Sequence, residues 1–329
     1  MVEAPIYTED GISVTYADVR DCYDLWPSPV VIVSDGPYGL GLFPGDPPTE
    51  DRLADWYEPH IEVWSNKATA LTTLWFWNSE LGWANVHPVL QKHGWRYRCC
   101  NIWDKGIAHV AGNCNTQRLR KLPVVTEVCV QYVKEPVFRA DGRTMTMQEW
   151  LRYEWERSGV PLYKANEACG VANAATRKYL TQCHLWYFPP PDSFERMAQY
   201  LQEHGRPSGR PYMSIDGGRP MTAGEWANMR AKFDCEAGVT NVWPHPPIHG
   251  EERVKSEDGY LHANQKPLEL VELTIRLSSD PGDVVWEPFG GLCTAAVASR
   301  KLRRKCFAAE RIPDFYQAAI RRLEEHDVN

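Results

Sequence analysis

Four β-branched residues, Val30-Val31-Ile32-Val33, run directly into Ser34-Asp35-Gly36-Pro37-Tyr38-Gly39. An apolar run of this kind reads as a strand buried on both faces of a parallel sheet. Proline, which lacks the amide donor, and glycine, which favours turns, stop that strand. A carboxylate, a backbone carbonyl and an aromatic ring are thereby set at the C-terminal edge of a sheet, where open α/β sheets bind ligands. Far along the chain, Val284-Val285-Trp286-Glu287-Pro288-Phe289-Gly290-Gly291 repeats the order of strand, acid, proline, aromatic and glycines. Two such strand ends predict two halves of one site.

A length of 329 residues leaves room for one large α/β domain and a smaller one. The 43% hydrophobic content supports a core, and no apolar run is long enough for a membrane span. Met1-Val2-Glu3-Ala4-Pro5 lacks the features of a signal peptide, and the ten cysteines form no C-x-x-C pair. The expectation is a cytoplasmic chain with reduced thiols, no disulfide framework, no metal site and no membrane partner. A net charge of −7 alone argues against nucleic acid, but from Lys92 to Asp234 there are 21 Lys/Arg against 14 Asp/Glu. The middle is therefore basic and the ends acidic.

Taken in order, Ile12–Tyr16 predicts a strand, followed by Asp18 and a helix to Leu25 that opens a β-α-β unit with the strand at Val30. Gly39–Pro48 is a glycine- and proline-rich loop of the type that closes over a substrate. Leu53, Trp56, Tyr57, Ile61 and Trp64 mark an amphipathic helix from Thr49, its expected N-cap, to about Asn66. Strands are expected at 70–77, 97–103 and 126–133, with a helix from Val86 to His93, in a sheet of six or seven strands. Most of the fourteen tryptophans fall at core-facing positions.

From Pro136 to Gly218 the chain turns helical and polar. Residues 163–180 have the spacing of a helix-turn-helix, with Ala165 allowing close approach, Gly170 at the turn, and Val171 and Leu180 pinning the second helix. Its polar face carries Asn173, Thr176, Arg177 and Lys178, which can read base edges or hold phosphate. A purely structural helical hairpin fits the same pattern.

The final part returns to α/β. Pro267 opens a helix, Thr294 to Leu302 forms another, and Cys306–Ala309 is a strand ending in Glu310. Glycines beside a strand end and a helix N-terminus suit a cofactor site. Glu310, 23 residues after Glu287, suits an acid that binds ribose hydroxyls. The fuller G-x-G-x-x-G is broken by Leu292 and Cys293, which disfavours a dehydrogenase.

Together, Asp35-Gly36-Pro37-Tyr38, Glu287-Pro288-Phe289-Gly290-Gly291 and Asn264-Gln265-Lys266-Pro267-Leu268-Glu269-Leu270 resemble the S-adenosylmethionine-dependent DNA amino-methyltransferases in their permuted, beta-type order. The family motifs are Asp-Pro-Pro-Tyr and Asp-Pro-Phe-x-Gly-x-Gly-Thr, and Trp103–Gly106 and Thr126–Val128 also look like its later strands. Here Gly36 replaces the first proline, Glu287 the acid, and Cys293 the third glycine. The resemblance implies a Rossmann-like α/β fold with a mixed, mostly parallel sheet flanked by helices, plus a helical DNA-recognition insert. It further implies a catalytic half at 1–135, a target-recognition region at 136–235 and a cofactor half at 236–329.

By the same resemblance, Asp35, Gly36, Pro37 and Tyr38 are catalytic. Asp18 (at the adenine), Lys266, Glu287, Pro288, Phe289, Gly290, Gly291, Thr294 and Glu310 (at the ribose) belong to the S-adenosyl-L-methionine site. Lys266 is expected to pack near the cofactor cleft. The implied substrate is a flipped-out base of double-stranded DNA, with Asp35 favouring adenine N6 over cytosine N4. A cognate restriction endonuclease and a homodimer stay open as partners. The rival readings are a DNA-binding regulator on a weakened scaffold and an RNA or small-molecule methyltransferase.

Overall fold

The structure, a computed structural model, describes residues 6–110, 120–171, 178–181, 186–249, 253–256, 259–260 and 264–325. The chain divides into two units: Met1–Lys134 together with Ala231–Asn329, and Glu135–Arg230.

In the first unit β1 (Ile6–Glu9) turns antiparallel onto β2 (Ile12–Tyr16). The helix expected after Asp18 is instead two 3-10 turns, Val19–Asp21 and Tyr23–Leu25. Pro27 explains the stop, since the residue before a proline is held extended, and Trp26 has ψ 138°. After β3 (Val31–Ser34) comes a 3-10 turn at Glu50–Arg52 and then α1 (Leu53–Lys67). This extra turn displaces the helix start, so Thr49 makes no side-chain cap. Leu53, Tyr57, Ile61 and Trp64 form the buried face of α1. β4 (Thr73–Asn78) leads to α2 (Glu80–Lys92), which begins earlier than expected because the Ser79 hydroxyl accepts from the Gly82 amide. β5 (Trp95–Asp104) and β6 (Thr126–Lys134) follow.

The second unit holds the hairpin β7 (Phe138–Ala140) and β8 (Arg143–Met145), then α3 (Met147–Ser158), α4 (Leu162–Cys169), α5 (Pro191–His204) and α6 (Ala223–Ala227). Its core is centred on Trp226, whose ring stacks on Phe194 at 4.2 Å and Phe188 at 4.5 Å and donates its N–H to the Pro189 carbonyl. Glu154 is buried and answered by Arg157, Arg210 and the Met213 amide. Gly170 ends α4 at φ 68°, as a turn residue there requires.

The chain re-enters the first unit with β9 (Val242–Pro244), the short ladder β10 (Lys255–Ser256) and β11 (Gly259–Tyr260), and α7 (Leu268–Ser278). Pro267 is the N-cap of α7, one position before the first turn. β12 (Val284–Glu287), α8 (Thr294–Lys301), β13 (Lys305–Glu310) and α9 (Pro313–Glu325) complete it.

The main sheet has nine strands in the order β1-β2-β13-β12-β3-β4-β6-β5-β9. β2, β13, β12, β3 and β4 are mutually parallel, and β4-β6-β5 is antiparallel. The edge strands β1 and β9 exceed the predicted count. The expected β-α-β unit is absent, because β13 and β12 lie between β2 and β3. Alternation sends Val31, Val33, Trp75 and Trp77 toward α7, α8 and α9, and Ile32, Leu74, Phe76 and Trp286 toward α1 and α2. The sheet is thus a mixed, mostly parallel one with helices on both faces.

Replacing Trp226 with alanine removes the centre of the second unit's stack and should cost about 3–5 kcal/mol. Amide hydrogen exchange across residues 135–230 measures the loss.

Candidate active site

Parallel pairing of β12 with β3 sets Trp286 opposite Ile32, so both strands end at the same edge. From β3 the chain passes through α1 to β4 on one side, and from β12 through α8 to β13 on the other. That divergence opens a crevice at the strand ends. A cavity of about 380 Å³ lies there. Asp18, Asp35, Gly36, Pro37, Tyr38, Lys266, Glu287, Pro288, Phe289, Gly290, Gly291, Thr294 and Glu310 all line it.

The Gly39–Pro48 loop forms one wall, with Leu40, Leu42 and Phe43. Asp46 holds it by accepting from the amides of Gly39 (2.9 Å), Leu40 (3.2 Å) and Leu42 (3.1 Å). Gly39 sits at φ 72°, and a Cβ there would come within 2.7 Å of the Glu50 backbone. Only glycine fits that turn.

Trp56, His60 and Phe289 make an aromatic wall, with His60 4.8 Å from Trp56 and 5.1 Å from Phe289. The Trp64 indole N–H donates to Tyr23 Oη, so the Tyr23 hydroxyl donates to His60 Nδ1 at 2.9 Å. The His60 proton therefore resides on Nε2, which has no partner among the described residues. Burial pushes its pKa down to about 4, which keeps it a neutral donor.

Asp18 is tied to Arg20 through the backbone amide and the guanidinium, at 2.7–3.0 Å. The Arg20 hydrogen bond holds its carboxyl down at about 2. Glu310 accepts from the amides of Gly291 and Ile312, both at 2.6 Å.

Asp35 Oδ1 receives Lys266 Nζ at 2.8 Å and faces Tyr38 Oη at 3.2 Å. Sequence reasoning missed the groups behind them. Glu127 Oε2 lies 3.1 Å from Tyr38 Oη and 3.4 Å from Lys266 Nζ, and its Oε1 pairs with Lys105. Glu127 is the second residue of the antiparallel strand β6, which brings it to the edge where the parallel strands end. The available signal was a lone acid heading the apolar run Val128-Cys129-Val130. Burial raises the Asp35 carboxyl, with Lys266 opposing it. Burial also works against the Lys266 charge, but Asp35 and Glu127 outweigh it and raise its pKa.

Two departures from the family motifs have structural accounts. A Cβ on Gly36 would lie 2.5 Å from the Phe289 ring and 2.6 Å from Tyr57 Oη, so a proline there would require both to move. Cys293 holds φ 51°, the left-handed conformation that glycine adopts freely and cysteine adopts at a cost of about 1–2 kcal/mol. Glu287 accepts from the amides of Ala295 (2.8 Å) and Ala296 (2.9 Å), fixing the start of α8 to the end of β12.

Of the side chains assigned to DNA, Asn173, Thr176 and Arg177 lie outside the described residues. Lys178 Nζ sits 5.3 Å from the centre of the Tyr187 ring.

The profile of a family described as DNA methylase, of the N6/N4 type, matches residues 30–321. The chain belongs to this family. Type II methyltransferase M.HindIII of Haemophilus influenzae is 37% identical over 208 residues, 59% of this chain and 60% of that protein. Type II methyltransferase M.HinfI of Haemophilus influenzae is 37% identical over 86 residues, 26% of this chain and 24% of that protein. The matches thus span less than two thirds of either relative. Among solved structures, PvuII DNA methyltransferase (cytosine-N4-specific) shares the fold at a TM-score of 0.58, with 12% identity over 97% of this chain and 88% of that one. The M1.HpyAVI–SAM complex does so at 0.53, with 15% identity over 95% and 98%.

Within this DNA methylase fold, burial outweighs the two amides at Glu287 and raises its pKa to about 8. The folded state then holds a proton that the unfolded chain releases near its ordinary 4.5. Its contribution to stability is complete below that value and is lost as pH rises toward about 8. Denaturant midpoints at pH 5 and pH 8 should fall with pH in the native protein and fall less in Glu287→Gln.

Proposed function

We propose that the chain is an S-adenosyl-L-methionine-dependent DNA methyltransferase acting on the exocyclic N6 of an adenine turned out of the duplex. The observation that carries this reading is the pairing, at one cavity, of a partly open Asp35 carboxylate with an aromatic-walled, acid-bearing pocket. The cavity size falls within the roughly 300–1,000 Å³ of small-molecule sites.

The residues present suit the cofactor. The unpartnered His60 Nε2–H and the rings of Trp56 and Phe289 suit a planar heteroaromatic base with acceptor nitrogens. Glu310 suits ribose hydroxyls, and Gly290, Gly291 and Thr294 lie at the opening of α8. When bound, the cofactor supplies an electrophilic sulfonium methyl group.

The protein's part is positioning and charge placement. An exocyclic amine is a poor nucleophile because its lone pair is conjugated with the ring. Asp35 Oδ2 and the Gly36 carbonyl, neither of which takes a hydrogen bond from a described residue, accept the two amine hydrogens and favour a pyramidal nitrogen. Pro37 holds the turn, its carbonyl fixed by Tyr57 at 3.1 Å and Asn78 at 3.0 Å. Turning the base out costs a few kcal/mol. Stacking on Tyr38 returns about 1–3 kcal/mol.

An acid at the first motif position, Asp35, supports adenine over cytosine. The insert at 135–230 serves as the target-recognition region in this reading, with its helix-turn-helix-like segment on DNA. The reading extends to a cytoplasmic protein, with a restriction endonuclease of the same target and a second copy of the chain left open as partners. No helix among the described residues is long and apolar enough to cross a membrane.

Incubation with labelled cofactor and mixed-sequence duplex DNA, followed by nucleoside mass spectrometry, should yield N6-methyladenine. N4-methylcytosine would overturn the base assignment. Asp35→Ala should abolish transfer while the cofactor still binds. Arg177→Ala with Lys178→Ala should weaken DNA binding and flatten its salt dependence by about two units of slope, read from titrations at several salt concentrations.

A further inference from the structure

Resting on the methyl-transfer reading above, we propose that Glu127 is a positioning residue that acts through Lys266 and Tyr38 to occupy one oxygen of Asp35 and leave the other for the target amine. Glu127 does not line the cavity. Its carboxylate is largely buried, with 14% of the side chain exposed, and Lys266 is buried more deeply at 2%. Burying four charged groups together is costly unless each is answered. Here they alternate in sign: Asp35, Lys266, Glu127, Lys105.

The hydrogen-bond inventory shows what this alternation achieves. The Lys266 ammonium donates to the Asn264 carbonyl at 3.2 Å and forms ion pairs with Asp35 Oδ1 at 2.8 Å and Glu127 Oε2 at 3.4 Å. It lies between the two carboxylates and nearest to Asp35 Oδ1. Without the Glu127 charge, the ammonium would face one carboxylate only and spread across both Asp35 oxygens. Tyr38 Oη lies within reach of Asp35 Oδ1 at 3.2 Å and of Glu127 Oε2 at 3.1 Å, so Glu127 holds the hydroxyl beside the same Asp35 oxygen that Lys266 faces. Lys105 completes the set by holding the second Glu127 oxygen. Asp35 Oδ2 is left without a partner among the described residues.

The other ionisable groups facing Asp35 come from every element around it. Tyr38, Tyr57 of α1 and Cys129 of β6 are all pushed well above their ordinary values by burial, and stay neutral in the working range. Glu287 of β12 is the remaining carboxyl that acts on Asp35. It is common to every variant compared below.

The test is the titration of Asp35, read from the 13Cγ shift of selectively labelled full-length protein, with kcat against pH measured in parallel. Glu127→Gln removes a negative neighbour and should lower the Asp35 midpoint, whereas Lys266→Met removes a positive one and should raise it. Each shift should be about one unit or more. Lys266→Arg should restore the native midpoint. In kinetics, Glu127→Gln should lower kcat with KM for DNA unchanged. Midpoints that do not move, or that move in the same direction in both variants, would overturn the proposal, as would a kcat unchanged by Glu127→Gln. Native protein that transfers no methyl group would instead refute the functional reading, and the titration would still decide the role of Glu127.

Discussion

The contact between β3 and β12 joins two segments lying on opposite sides of the insert, and the placement of everything else in the crevice follows from it. Val285 pairs with Val31 and Trp286 with Ile32, so one register brings Asp35 and Glu287 to the same edge. A slip of one residue would exchange the faces of the whole strand and move Trp286 out of its aromatic cluster with Tyr23 and Trp26. Because the helices that follow the two strands depart in opposite directions, the edge cannot close over itself. The cavity is thus a property of topology before it is a property of any side chain.

On that edge, two kinds of device fix the geometry. Backbone amides are used as anchors: Glu287 grips the start of α8, Glu310 the amides of Gly291 and Ile312, and Asp46 the loop opposite. Charged side chains are used as spacers, with Lys266 set between two carboxylates. The anchors make the walls rigid, and the spacers determine which oxygen of Asp35 faces outward. Such preorganisation is what positioning catalysis requires.

The legible parts of the fold were those where apolar runs meet strong breakers. Val30–Val33 before Gly36-Pro37, and Val284–Trp286 before Pro288, carried both the strands and their ends, and the motif residues around them do line one cavity. Short edge strands were not legible. β1 and β9 have only four and three residues, too few for an alternation to register, and β9 ends on a proline. The turns after Asp18 were mistaken for a helix because the stretch is short and breaks at Cys22 into two 3-10 turns, a distinction that periodicity over seven residues does not register. The link from Lys266 to Asp35 was invisible for a different reason: sequence order carries no distance, and a lysine between glutamine and proline looks the same whether it faces a cleft or a carboxylate. Glu127 was quoted as part of a strand and passed over as a functional group, since its relevance arises only when antiparallel β6 returns to the edge.

The order of the segments also has a consequence for synthesis. β12 follows β3 by about 250 residues, so the edge of β3 that β12 covers has no partner until all of that intervening chain has emerged. At about 5–20 residues per second, that interval is on the order of ten to fifty seconds. During it, Val31 and Val33 present apolar surface and unpaired amides, the features that recruit chaperones or invite a neighbouring chain. A ribosome-bound fragment holding Asp35 through Tyr38 has no Glu287 and no Glu310 beside it. The crevice comes into being only with β12 and β13, and a product truncated before them carries the Asp35–Tyr38 turn without its counterpart.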